Sequence, residues 1–494
     1  MSRDRSVAEE ASRVNVRSEH FSSTRHHIGI YRCVTVTCRY QANASSAAQA
    51  QLDTAKLYPA LATVVAAQPM LRVGILGQDT NKAHFSHLKE VDLRNHVFFK
   101  TLACESAEKY EALVAEQQGW HHDQLWPDLE TRPPWRLAVL QPGPDINQEI
   151  QSVDLVFAFH HSLMDGTSGR RFHELLLAAL NDPSQPSCSS PDAPHLLSFP
   201  NAPKLPEAQE DVIPFTNSIP YVAKTLWTEL GPDMLKPRKI VPWHGKAIDF
   251  SIPHKTRVRP VDIPHEVIGS LLKACREHST TLTGLFHALT LVSYARNLAT
   301  DEAKSFAAST PINLRPYFGP NADPELKDLL RCLITSFSHE YSAEAVAAVR
   351  RPETDLDALI WQNAKRIKTE LVERLATLPK DDINGLLKYV GDWFDFWEKK
   401  KGKTRSESWE VSNIGVLPRP PPDATWAITR LLFTNGSMVA GPALGVNIAS
   451  AEKGILTAGI SWQDTVVPDE LVDSLERDLK AYTQRLHETG KFGA

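Results

Sequence analysis

The stretch VDLVFAFHHSLMDG, residues 153–166, decides the fold. Val153–His160 is a nearly continuous apolar run of the length expected for a buried strand. Thr167 and Ser168 then offer an N-cap for a helix over 169–180, whose Phe172, Leu175, Leu176 and Ala179 make an apolar stripe. The unit reads strand, turn, helix, with an imidazole at the strand end and a carboxylate and glycine in the turn. That arrangement suits general base catalysis. An unperturbed imidazole titrates near pH 6.5, so a largely neutral histidine can take a proton from a bound hydroxyl or amine as it attacks. Side chains alternate across a strand, so His160 and His161 are expected on opposite faces, and only one of them is the base. The same parity argues against a metal, because adjacent strand histidines do not easily chelate one ion and no third ligand stands at a recognisable spacing. Asp165, with Gly166 behind it, reads as a structural carboxylate that holds backbone or an arginine. A packing role for both histidines is the plain alternative.

Outward from this unit, strands and helices alternate in both halves of the chain. Before it come a strand over 28–40, a helix over 51–67 stopped by Gln68-Pro69, a strand through MLRVGIL, a helix over 106–117 ending at Gly119, and a strand over 137–140. From Asn181 to about Pro260 prolines crowd a region of weak periodicity, which reads as the inter-domain connection. Beyond it come helices over 264–278 and 283–299, a strand over 306–314, a long amphipathic helix over 355–378, short strands over 408–417, 427–434, 443–449 and 455–462, and a closing helix over 468–486. The expected architecture is two α/β lobes: an N-terminal lobe over 1–205, a Pro-rich crossover over 206–260 and a C-terminal lobe over 261–494.

Composition narrows the function. The formal net charge is −5 over 494 residues, which leaves no global basic field for nucleic acid phosphates. Apolar residues at 42% and charged residues at 23% lie in the ordinary globular range. No apolar run approaches eighteen residues and the first thirty hold no signal-like apolar core, so a cytoplasmic protein with no transmembrane segment is expected. Cys33, Cys38, Cys104, Cys188, Cys275 and Cys332 are scattered without a CxxC pair and read as reduced thiols.

His160-His161-x-x-x-Asp165-Gly166 matches the HHxxxDG signature of the CoA-dependent acyltransferases that share the chloramphenicol acetyltransferase and peptide-synthetase condensation fold. The chain most resembles the fungal alcohol acetyltransferases, including trichothecene O-acetyltransferases. Further segments look like theirs in the same order: Pro69-Met70-Leu71-Arg72, Pro134-Trp135-Arg136-Leu137, Asn313-Leu314-Arg315 and Val411-Ser412-Asn413-Ile414-Gly415. Where the plant branch of the superfamily carries DFGWG, this chain has Phe433-Thr434-Asn435-Gly436, closer to the fungal branch.

The resemblance implies a monomeric two-lobed enzyme with an active-site tunnel between lobes, moving an acyl group, most simply acetyl, from acyl-CoA to the hydroxyl of a small, fairly apolar alcohol such as a terpenoid. It assigns His161 as general base and Asp165 as the partner of an arginine, with Arg315 and Arg72 as candidates. Gly166 would leave room beside the donor tunnel, and Ser412 and Asn413 are candidate oxyanion donors. No acyl-enzyme is expected, and the chain has no Gly-x-Ser-x-Gly elbow. Two other readings stay open: a condensation or ester-forming domain fed by a carrier protein's phosphopantetheine arm, and a non-catalytic binding protein of the same fold.

Lys399, Lys400, Lys401 and Lys403 form the one dense basic run, which CoA phosphates would suit; lysines that merely solvate a helix end are the alternative. The preceding LLKYVGDWFDFW, 386–397, suits either burial, an acceptor lining, or peripheral contact with endoplasmic reticulum or lipid-droplet membrane. His26-His27 and His121-His122 lack a following Asp-Gly and read as surface or packing residues.

Overall fold

A computed structural model of the chain describes residues 12–14, 17–43, 52–144, 146, 152–182, 189–190, 192–230, 241–320, 323 and 328–493. Residues 183–188, among them Cys188, together with 191 and 231–240 of the Pro-rich stretch, lie outside the described residues.

Two mixed sheets carry the fold. The first has the order Trp426–Asn435, Val34–Ala42, Ser152–Phe159, Trp135–Pro142, Val97–Leu102. Its neighbours are antiparallel except the last pair. The second has the order Thr256–Ile263, Leu456–Gln463, Leu444–Ala451, Trp409–Leu417, Phe306–Asn313, Ile334–Tyr341. Each sheet is covered by helices with apolar inner faces, so two separate cores form, as the alternation of strands and helices in the sequence requires. In the first core Phe172 of the helix Gly166–Asn181 stacks on Phe157 of the motif strand at 3.6 Å between ring centroids. In the second, the helix Leu282–Asn297 is buried at every position from Gly284 to Ala295, as its strongly apolar sequence, interrupted only by His287, Thr290 and Ser293, leads one to expect.

One strand crosses between the halves. Trp426–Asn435 follows the second-sheet strand Trp409–Leu417 in sequence, yet pairs with Val34–Ala42 of the first sheet, Asn435 opposite Val34 and Trp426 opposite Ala42. It also lies against the second sheet: Ile455 N–H donates to Thr429 O at 3.0 Å, and a Cβ at Gly459 would sit 2.5 Å from Phe433 O. A linear division at residue 261 does not follow this exchange.

Several element boundaries differ from the sequence reading, each for a local reason. Pro69–Arg72 is a 3-10 turn, and the strand begins only at Val73. The helix after the motif starts at Gly166, because Asp165 rather than Thr167 or Ser168 is its N-cap. The polar leader contains a helix, Arg17–His27, whose Ser22, Ser23 and Thr24 are buried; hydropathy cannot find a buried face built from hydroxyls. Among the described residues no helix is long and apolar enough to cross a membrane.

The helix Ala107–Asp123 runs through Gly119 instead of ending there. An added Cβ at Gly119 would meet Thr256 O of the second sheet at 2.8 Å, so glycine serves here as a contact point between lobes. In an open helix Gly→Ala gains about 1 kcal/mol. Here overlap with backbone should reverse the sign, and Gly119→Ala is expected to destabilise by about 1–3 kcal/mol, read as a lowered midpoint in urea unfolding.

Candidate active site

The strand Ser152–Phe159 ends one residue before the two histidines, with His160 N–H donating to Pro134 O at 3.0 Å. Their separation therefore comes from a turn, closed by Leu163 N–H to His160 O, and not from strand alternation. His160 turns inward. Its Nδ1 is engaged by Ser162 N–H at 3.0 Å, its Nε2 lies 3.1 Å from the Gln78 amide, and its ring packs on His26 at 4.6 Å. His26, His121 and His122 are likewise buried packing residues.

His161 turns toward space. Its Nδ1 lies 3.0 Å from Met164 O, and since a carbonyl only accepts, Nδ1 carries the proton. Nε2 is left with its lone pair and has no protein partner among the described residues. The ring borders two cavities, one of about 120 Å³ and one of about 350 Å³. The smaller is lined on its own side by Gly166, Thr167, Asn313, Ser412 and Asn413, and the larger by Phe21, Ile30, Leu387 and Trp397. Arg25, Tyr31 and Glu410 border both. Burial, followed by the positive charge of Arg25, pushes the His161 imidazole down to about 4, so it is neutral at neutral pH.

Asp165 holds this turn in place. It caps the helix by accepting Ser168 N–H at 2.8 Å, accepts Leu333 N–H at 2.9 Å, and receives Arg315 in a bidentate pair at 2.8 and 3.1 Å. Burial would raise its carboxyl, but Arg315 and these donors hold it below the usual value, and it stays ionised. Arg315 also reaches Ser168 Oγ and Arg331 O. Of the two arginines offered by the sequence, Arg315 is thus the partner. Arg72 lies elsewhere, over the Phe199 ring at 4.6 Å.

Gly166 has no room for a side chain: a Cβ would lie 2.8 Å from both Ile414 and Phe433. Ser412 is buried and borders the smaller cavity, its hydroxyl without a protein partner among the described residues. Asn413 borders the same cavity, but its amide donates to Thr283 Oγ1 at 3.2 Å and its carbonyl accepts Gly415 N–H at 2.8 Å. Its side chain is occupied in shaping the strand bulge at Gly415, where φ is +81°.

The lysine run does not reach the cavities. Lys399 pairs with Asp395 and Lys401 with Glu398 at 3.0 Å, while Lys400 lies over Phe396; Lys403 is exposed. Acids of the same helix end neutralise these lysines, as neighbours three and four apart do. The preceding aromatic stretch packs inward through Trp393 and Trp397, and Leu387 and Trp397 wall the larger cavity.

Three site residues escaped the sequence reading. Arg25 comes from the polar leader and Tyr31 from the start of the expected strand over 28–40, and nothing in the pattern marks either. Glu410 did leave a signal: it is two residues before Ser412 on a strand, hence on the same face.

A family model described as alcohol acetyltransferase matches residues 124–476. A probable alcohol acetyltransferase, FCK4, from Fusarium pseudograminearum (strain CS3096) is 30% identical over 437 residues, covering 88% of this chain and 86% of that protein. Among solved structures, the trichothecene 15-O-acetyltransferase TRI3 from Fusarium sporotrichioides superposes with a TM-score of 0.67 at 13% identity, covering 94% of both chains. The condensation domain of the monacolin K polyketide synthase MokA follows with a TM-score of 0.54 at 10% identity, covering 98% of this chain and 99% of that one. At these identities the two structures establish the two-lobed fold.

Removing one partner of a buried ion pair strands the other. Asp165→Ala should therefore cost about 3–5 kcal/mol of stability, measured by chemical unfolding, with Asp165→Asn losing less because it still caps the helix.

Proposed function

This chain belongs to the alcohol acetyltransferase family and is a CoA-dependent acyltransferase, and from that premise we propose that it acetylates the hydroxyl of a small, largely apolar alcohol in one step at His161. The observation that carries this reading is one imidazole, its Nδ1 proton held by Met164 O, bordering both cavities. The larger cavity, walled by Phe21, Ile30, Leu387 and Trp397, suits an apolar acceptor. The smaller, bordered by Thr167, Asn313 and Ser412, suits the thioester.

In this mechanism Nε2 of His161 takes the acceptor's hydroxyl proton as the oxygen attacks the thioester carbonyl. The carbonyl electrons move to oxygen, where the Ser412 hydroxyl donates a hydrogen bond to the growing charge. As the tetrahedral centre collapses, the C–S bond breaks and the imidazolium returns its proton to the departing sulfur. Products are the acetyl ester and free CoA thiol, with no acyl-enzyme. Asp165 and Arg315 act through position, fixing the turn that aims the ring.

Thiol release over a panel of alcohols and acyl-CoAs, compared with an acyl-carrier protein donor, tests the reading. Activity with acetyl-CoA alone is expected, and His161→Ala should lower kcat by about 10²–10⁴-fold while CoA binding persists. Full turnover in that variant, or turnover only from the carrier protein, sinks it. The pH profile adds a check. Because the His161 value is lowered to about 4, the base remains unprotonated as pH falls through 6.5, and the acid limb of kcat/KM should lie below 6 while circular dichroism reports a folded protein.

A further inference from the structure

We propose that Glu410 reads a second oxygen function on the acceptor, so that the preferred substrates are apolar alcohols carrying another hydroxyl or a carbonyl group near the one acylated. The inference rests on the larger cavity being the acceptor chamber. That chamber is mostly apolar, yet Glu410 and Arg25 stand in its wall beside His161.

Glu410 sits in a hydrogen-bonded chain that spans both sheets. Tyr31 O–H donates to Asn435 Oδ1 at 3.3 Å, which fixes the Asn435 amide so that its Nδ2 donates to Glu410 Oε1 at 2.7 Å. One carboxyl oxygen is thereby committed as an acceptor. The other has no protein partner among the described residues, and the Glu410 residue lines the chamber as well as the smaller cavity. Burial, helped by nearby Glu407, lifts the carboxyl to about 8, so at neutral pH this second oxygen carries a proton and donates. Arg25 does not neutralise it by an ion pair; its guanidinium is spread over the rings of Phe21 and Tyr31 at 4.3 and 4.5 Å and reaches Ser22 Oγ at 3.2 Å. A donor left open in an apolar cavity is uncommon, and a ligand oxygen is what completes it. Discrimination of this kind is steep, because an acceptor lacking the oxygen leaves the buried group unpaired.

Matched acceptors on one carbon skeleton make the test: a monoalcohol, a diol, a keto-alcohol and a hydroxy acid, each with acetyl-CoA. The unmodified protein is expected to favour the diol and keto-alcohol over the monoalcohol by about ten- to a hundredfold in kcat/KM. Glu410→Leu should collapse that ratio, and Glu410→Gln, whose amide still donates, should restore most of it; thermal melts of both establish folding. Equal kcat/KM across the skeletons in the unmodified protein overturns the inference without any variant. So does a ratio unchanged in Glu410→Leu, or a preference for the hydroxy acid that Arg25→Lys abolishes and Glu410→Leu does not. Failure of every alcohol to be acetylated is a different result and strikes the acyltransfer mechanism instead.

Discussion

The bidentate pair between Asp165 and Arg315 is the constraint on which the rest depends. Asp165 belongs to the turn after the motif strand and Arg315 to the segment that follows Phe306–Asn313 in the second sheet, so the pair ties the two lobes across the cleft. Both groups are largely withdrawn from water, and desolvation alone would make this costly. The cost is offset because each lone pair of the carboxylate finds a donor: Ser168 N–H, Leu333 N–H and both guanidinium nitrogens. Beyond the carboxylate, the arginine's Nη1 reaches Asn313 Oδ1 and its Nη2 reaches Ser168 Oγ and Arg331 O. A network so fully satisfied leaves one geometry, and that geometry sets where the helix Gly166–Asn181 begins and where the His161 ring points.

The strand Trp426–Asn435 supplies the second tie. By pairing with Val34–Ala42 while lying against the second sheet, it brings Phe433 to Gly166 and Asn435 to Tyr31 and Glu410. The cavities therefore sit at a seam, walled by residues from both halves of the chain. Neither lobe alone could enclose the base, because Met438, Pro311 and Ile334 come from one side and Tyr31, Arg25 and Gly166 from the other.

How much of this was legible follows from what each residue depends on. The motif strand, the buried helix Leu282–Asn297 and the four late strands declare themselves through local hydropathy, and the structure places them within a few residues of expectation. His161 and Asp165 stood out because they lie in the turn after an apolar strand, whereas Arg315 and Ser412 came only from the family resemblance: Ser412 lies within the strand Trp409–Leu417, and no local pattern marks either residue. The helix Arg17–His27 was hidden because its buried face is made of Ser, Thr and His, with Ser23 and His26 both held by Gln78, a partner that no window of the helix's own sequence contains. Gly119 looked like a stop because glycine ends many helices; only the backbone of Thr256, far along the chain, shows why it sits mid-helix. The lysine run misled for the opposite reason. Its charge stands out in sequence, but Asp395 and Glu398, equally visible there, already answer it.

In the proposed mechanism the low value of the His161 imidazole looks like a handicap for a base and is better understood as a choice of protonation state. A ring near 6.5 would be partly protonated at neutral pH and useless in that fraction of molecules, whereas a ring near 4 is always ready to accept. What is lost is driving force, since a weaker base holds the proton less firmly. That loss is recovered in the second half of the reaction, where the same weakness makes the imidazolium a stronger acid toward the departing sulfur. Arg25 bears on this balance, since its charge depresses the imidazole and its side chain borders both cavities. Under the proposed mechanism one proton would enter and leave through the same nitrogen, while Met164 O holds the other proton of the ring out of the exchange.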